Sequence, residues 1–171
     1  MMSSEEITEV KAKLKELEER IGKLEHFPAQ EEGKSAEEPS IATEGRMEKL
    51  CEDAGITEEE LKCVFDFEGE DLILIATVEG KTEAVKQFKA SVGILTAYHY
   101  RYRRDEIRSQ DLRKKLEWLG IRSLENLSAN LSKYKQLIRP KGKSGSPQFS
   151  YKITFPGIKK GLEIIKELAS A

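Results

Sequence analysis

Asp105-Glu106-Ile107-Arg108-Ser109-Gln110-Asp111-Leu112-Arg113-Lys114-Lys115-Leu116-Glu117-Trp118-Leu119-Gly120-Ile121-Arg122-Ser123-Leu124-Glu125-Asn126-Leu127-Ser128-Ala129-Asn130-Leu131-Ser132-Lys133-Tyr134 is the run on which the fold turns. Leu112, Leu116 and Leu119 recur at spacings of four and three, which sets them on one face of a helix. Ser109 stands where a hydroxyl can accept an orphan N–H of that helix's first turn. Gly120 closes it, because the residue just past a helix end commonly takes positive φ. Ser123 opens a second helix that runs to Tyr134, with Leu124, Leu127, Leu131 and Tyr134 as its buried stripe. The opposite face carries Asn126, Ser128, Ala129, Asn130 and Lys133, short or polar groups of the kind that meet base edges and phosphates. Asn126 and Asn130 are four residues apart and so share that face, which is expected to point at solvent.

Outward on the C-terminal side, Phe149, Tyr151 and Ile153 alternate with Ser150, Lys152 and Thr154, the period of a half-buried strand. Leu137-Ile138-Arg139 is expected to pair with it. The turn-rich connection, Pro140-Lys141-Gly142-Lys143-Ser144-Gly145-Ser146-Pro147, holds two lysines and no acid. Beyond Phe155-Pro156-Gly157, the residues Ile158, Leu162, Ile165 and Leu168 mark a closing amphipathic helix. On the N-terminal side, Thr82-Glu83 opens a long helix with Val85, Phe88, Val92 and Leu95 on its apolar stripe. It ends in Tyr98-His99-Tyr100-Arg101-Tyr102-Arg103-Arg104, where aromatic and basic residues interleave. Such a mixture either stacks on bases and neutralises phosphates or closes the core with its tyrosines while the arginines stay solvated.

Helix, short turn, helix and basic β-hairpin in this order resemble the winged helix-turn-helix superfamily over residues 83–171. The resemblance implies duplex DNA binding, with the helix from Ser123 to Tyr134 in the major groove and the Lys141–Ser146 wing against the backbone. The DNA-binding residues it implies are Arg108, Ser123, Asn126, Ser128, Asn130, Lys133, Lys141, Lys143, Ser144 and Lys152. It also implies that the closing helix supplies a dimer surface. The same unit serves elsewhere as a protein-interaction module, so an adaptor built on a winged helix stands as the alternative.

Charge is divided along the chain. Residues 1–60 hold 8 Lys and Arg against 18 Asp and Glu, a net of −10. Residues 61–80 hold 1 against 5, a net of −4, and residues 81–171 hold 20 against 8, a net of +12. The overall −2 therefore hides a basic half, which points to a polyanion partner. At 38% hydrophobic and 35% charged, the 171 residues suit one water-soluble domain with extensions, expected in the cytoplasm. No apolar run approaches the ~20 residues that span a bilayer, so no membrane is expected as a partner.

Near the N-terminus, Ile7, Val10, Leu14, Leu17, Ile21 and Leu24 form an a/d heptad, opened by Ser3 and Glu6 as a capping box. In a parallel pair its g and e residues match as Glu6–Lys11, Lys13–Glu18 and Arg20–Glu25, all opposite in sign. Residues 1–26 are therefore expected to be a coiled-coil helix that makes a homodimer or contacts a protein partner, the alternative being an amphipathic helix that lies on its own domain. Residues 27–45, rich in Glu, Pro, Ser and Gly, are expected to be a flexible acidic linker. Residues 46–80 read as a small α-β element packed on the main domain of residues 81–171. In it, Met47, Leu50, Cys51 and Ala54 form a helix ended by Gly55, and Thr57-Glu58-Glu59-Glu60 caps a second. Phe65-Asp66-Phe67 and Leu72-Ile73-Leu74-Ile75 are strands joined by a turn at Glu68-Gly69-Glu70. The fold class is thus mostly α with a small β component, α+β.

No catalytic constellation appears. Gly80-Lys81-Thr82 ends like a phosphate-binding loop, but Ile75 stands where that loop needs glycine. Cys51 and Cys63 form no CxxC, and His26 and His99 lie far apart, so neither a metal nor another cofactor is expected. His99 reads as a packing residue. The function expected from these features is that of a dimeric DNA-binding protein of the transcription-regulator kind, not an enzyme.

Overall fold

A computed structural model describes residues 40–67 and 71–171, with side chains from residue 46 onward. The heptad helix, most of the acidic linker and the turn at Glu68-Gly69-Glu70 lie outside the described residues. The fold is α+β: helices around one hydrophobic core, with two small antiparallel sheets. Among the described residues no helix is long and apolar enough to cross a membrane.

Helix α1, Ser40–Ala54, begins inside the stretch read as linker, so six residues of that stretch are helical. It ends at Gly55, whose φ of +66° a side chain would resist. Helix α2, Glu58–Val64, is opened by the expected capping box: Thr57 Oγ1 accepts from the Glu60 N–H, and Glu60 Oε2 accepts from the Thr57 N–H. Strands β1, Phe65–Asp66, and β2, Ile73–Leu74, then pair antiparallel.

Helix α3, Glu83–Tyr102, is the axis of the molecule. Gln87, Phe88 and every residue from 90 to 97 are buried, so this helix is enclosed on nearly all sides where the sequence suggested a single stripe. Its partners are α1, the short helix Leu127–Ser132 and the C-terminal helix α6, Phe155–Ala169. Close approach of α3 and α6 depends on small residues. A Cβ added at Gly161 would sit 1.8 Å from Thr96 Oγ1. The apolar face of α6, with Ile164, Ile165 and Leu168, is buried inside the chain.

After α3 come β3, Glu106–Arg108; α4, Ser109–Trp118; a 3-10 turn, Leu124–Asn126; α5, Leu127–Ser132; β4, Ile138–Lys141; and β5, Ser150–Ile153. The expected β4–β5 hairpin is present, with Ile138 opposite Ile153 and Lys141 opposite Ser150. A third strand, β3, was not legible. It flanks β5 on the other side, with Ile107 opposite Tyr151, so the order is β3-β5-β4. Ile107, Ile138, Tyr151 and Ile153 form the buried face of this sheet.

Two local expectations fail for identifiable reasons. Ser109 does not cap α4. Its side chain is buried, its N–H donates to Phe149 O at 2.8 Å, and the N-cap position belongs to Arg108, which makes no side-chain cap bond. The second helix is not continuous from Ser123. Ser123 adopts φ +57°, a 3-10 turn follows, and α5 proper has six residues before turns lead to β4.

Candidate nucleic-acid interface

The connection between α4 and α5 is held by side chains from α3 and α4. Gln87 of α3, fully buried, donates through Nε2 to Arg122 O at 2.7 Å and Ser123 O at 3.0 Å. Glu83 Oε2 accepts from the Arg122 N–H at 2.9 Å, and Arg113 of α4 donates to Leu124 O. The bond from the Arg122 N–H, and after it the bond from Lys86, hold the Glu83 carboxyl below its ordinary pKa. A left-handed Ser123 strains a residue with a Cβ, and these bonds are what hold it there.

The same Gln87 decides the fate of Asn130. Its Oε1 accepts from Asn130 Nδ2 at 2.9 Å, so the asparagine turns half-buried toward α3. The expectation that Asn126 and Asn130 present one polar face to solvent is therefore corrected. Asn126 is exposed, with its amide toward Glu125 at 3.3 Å, and Lys133 is exposed, while Ser128 is half-buried. The exposed surface of α5 and its turn is consequently short and nearly neutral. Ser123 contributes its backbone carbonyl to Gln87, although its side chain faces solvent.

Cationic character concentrates instead on the outer face of the three-stranded sheet and the hairpin loop. Arg108, Arg139, Lys141 and Lys152 are exposed and alternate with the buried Ile107, Ile138, Tyr151 and Ile153. Lys143 and Ser144 are exposed at the tip, where Gly142 and Gly145 take φ of +88° and +83°. Glu106 is the acid on this face. It accepts from Lys141 Nζ at 2.8 Å and from the buried Ser150 hydroxyl at 2.6 Å. Those two bonds, Lys141 first, hold its carboxyl below the usual range. Lys141 is thus committed within the chain, whereas Arg108, Arg139, Lys143 and Lys152 have no ion-pair partner among the described residues.

The tyrosines at the aromatic-basic end of α3 are tied into the fold rather than offered to a ligand. Tyr100 donates to Asp53 at 2.6 Å and Tyr98 to Asp71 at 3.3 Å, and burial pushes both hydroxyls well above the ordinary tyrosine pKa. Arg101 is 9% exposed, with its guanidinium 5.0 Å from the Phe67 ring centroid. His99 is not plain packing, since its Nδ1 pairs with Asp105 Oδ1.

No family model matches the chain, and comparison with curated proteins and with solved structures returns no match.

Proposed function

We propose that the chain is a DNA-binding protein of the transcription-regulator kind that holds duplex DNA through a winged helix-turn-helix unit in residues 83–171. The observation that carries this reading is the order α3, β3, α4, short turn, α5, β4, β5, with β5 central in the sheet and the Lys143 loop at its tip. That order is the one in which a helix-turn-helix is closed by a β-hairpin wing. The unpaired cations of the sheet and wing supply the phosphate contacts, and Asn126, Ser128 and Lys133 remain as the residues that approach the groove. Asn130 supports α5 from within. The matched charges of the residue 7–24 heptad favour a homodimer. An adaptor would call for a large exposed apolar patch, and the exposed large apolar side chains among the described residues are only Ile75, Trp118 and Phe155.

A salt titration of binding to random duplex DNA tests the proposal. Each phosphate contact contributes close to one unit to the log–log slope, so Lys143→Ala should flatten it by about 1. Lys141→Ala should flatten it less, because Glu106 already claims that ammonium. Glu106→Gln should tighten binding, since it removes an acid from the cationic face and releases Lys141. An unchanged slope and affinity in all three variants would overturn the proposal.

A further inference from the structure

Two side chains on the cationic face are left without a role by duplex binding. Trp118, the last residue of α4, is 66% exposed, and Phe155, the first of α6, is 69% exposed. They are the exposed large aromatics among the described residues, and each lines one of two surface cavities. The larger, about 860 Å³, gathers Trp118 with Arg104, Arg108 and Lys114. The smaller, about 540 Å³, gathers Phe155 with Arg139, Lys152 and the His99–Asp105 pair. Asp105 lines both, so the two cavities adjoin beside the sheet.

The charges along this path are unequal. Glu106 is neutralised by Lys141, Asp105 faces His99, and Asp71 is bound by Lys115 at 2.6 Å. Asp111 is the acid of the larger cavity without an ion pair among the described residues. Against it stand Arg104, Arg108, Lys114 and Arg139, which form no ion pair among the described residues, and Lys152, which stands opposite Glu106 in the sheet. Lys159 adds another beside the second aromatic, with Nζ 4.9 Å from the Phe155 centroid. Arg108 on β3 stands level with Ser150 and Arg139 on β4 level with Lys152, two residues further along β5, so with strands about 4.8 Å apart and about 3.3 Å per residue the two arginines are about 12 Å apart on the diagonal. A cationic track flanked by two solvent-exposed aromatic rings, one of them with a lysine over one face, suits a ligand with an anionic backbone and flat rings. A duplex keeps its bases stacked inward and offers nothing to the plates.

We infer that the outer sheet face binds a single strand of DNA, with one base stacked on Trp118, another on Phe155, and intervening phosphates on Arg108, Lys152 and Arg139. The plates and cations point to single-stranded nucleic acid without reference to the duplex reading. The choice of DNA rests on that reading, because the face continues into the β4–β5 hairpin.

Trp118 is the only tryptophan in the chain, so its fluorescence reports stacking directly. Full-length protein is titrated with oligo(dT), oligo(rU), inorganic polyphosphate and a blunt duplex. Oligo(dT) should quench Trp118, and the other three should quench it weakly or not at all. With end-labelled oligo(dT) followed by anisotropy, Trp118→Ala and Phe155→Ala should each weaken binding about 5- to 150-fold, the loss expected for one stacked base. Trp118→Phe and Phe155→Tyr should retain most of the affinity. Both positions are solvent-exposed, so the alanine variants should melt like the parent, and duplex affinity should hardly change. Absence of quenching by oligo(dT), equal quenching by the duplex, preference for oligo(rU), or full affinity in both alanine variants would each overturn the inference. Absence of the Lys143 effect on the duplex salt slope would overturn the duplex reading alone, and the preference between oligo(dT) and oligo(rU) would then decide the choice of DNA by itself.

Discussion

Replacing Gln87 with methionine probes the joint between the core and the proposed reading segment. Methionine has similar length and flexibility, so it fills the buried site without opening a cavity. What it removes is three hydrogen bonds: to Arg122 O, to Ser123 O and from Asn130 Nδ2. A neutral hydrogen bond contributes about 0.5–1.5 kcal/mol net, and a buried acceptor left unpaired costs more. Arg122 and Ser123 are exposed and Asn130 is half-buried, so water reaches part of what is abandoned. The expected loss is about 2–4 kcal/mol. With a urea slope near 2 kcal/mol/M, that moves the unfolding midpoint down by roughly 1–2 M. Asn130→Ala alone should cost about 1 kcal/mol, and the double variant should lose less than the sum, because both changes break one bond. Gln87→Glu should be worse at neutral pH, since a carboxylate would face two carbonyl oxygens. Burial raises such a carboxyl's folded pKa, so its deficit is smallest below the unfolded value of about 4.3 and grows as pH rises through the folded one. A loss below about 0.5 kcal/mol for Gln87→Met, or strict additivity with Asn130→Ala, would refute the bridging role.

Gly161→Ala should lower stability by about 1–3 kcal/mol, because its Cβ would lie 2.7 Å from Thr96 Cβ as well as 1.8 Å from Oγ1. Thr96→Ala in the same chain should recover part of that, and thermal melting checks both. Tyr98 and Tyr100 are held neutral, chiefly by burial and then by Asp71 and Asp53. Their stabilisation is complete below the unfolded tyrosine value of about 10 and fades as pH rises toward their higher folded values. Tyr98→Phe with Tyr100→Phe should therefore flatten the alkaline fall in stability, as followed by urea titration between about pH 9 and 12.

Local chemistry is written plainly in this chain. Thr57 and Glu60 form their capping box because both partners lie within one turn. The β4–β5 hairpin follows from period-two alternation around a glycine-bearing loop, and Gly55 and Gly120 end helices where positive φ is needed. The division of charge between the halves is equally a property of the sequence. Long-range partners are not. Strand β3 has a single apolar residue between two charged ones, and only Tyr151, more than forty residues away, makes a strand of it. Ser109 looks like a cap until Phe149 takes its N–H. Asn130 looks like a surface reader because helical spacing fixes which side of α5 it occupies but not what stands beyond that side. Gln87 stands there, forty-three residues away, with an amide whose three bonds close only when α3 and α5 are packed together. Trp118 and Phe155 have the mirror-image history. Nothing in an isolated pattern separates an aromatic at a helix end that is buried from one left open beside a row of arginines and lysines. That depends on which surfaces the core has already consumed, a quantity set by packing of the whole chain.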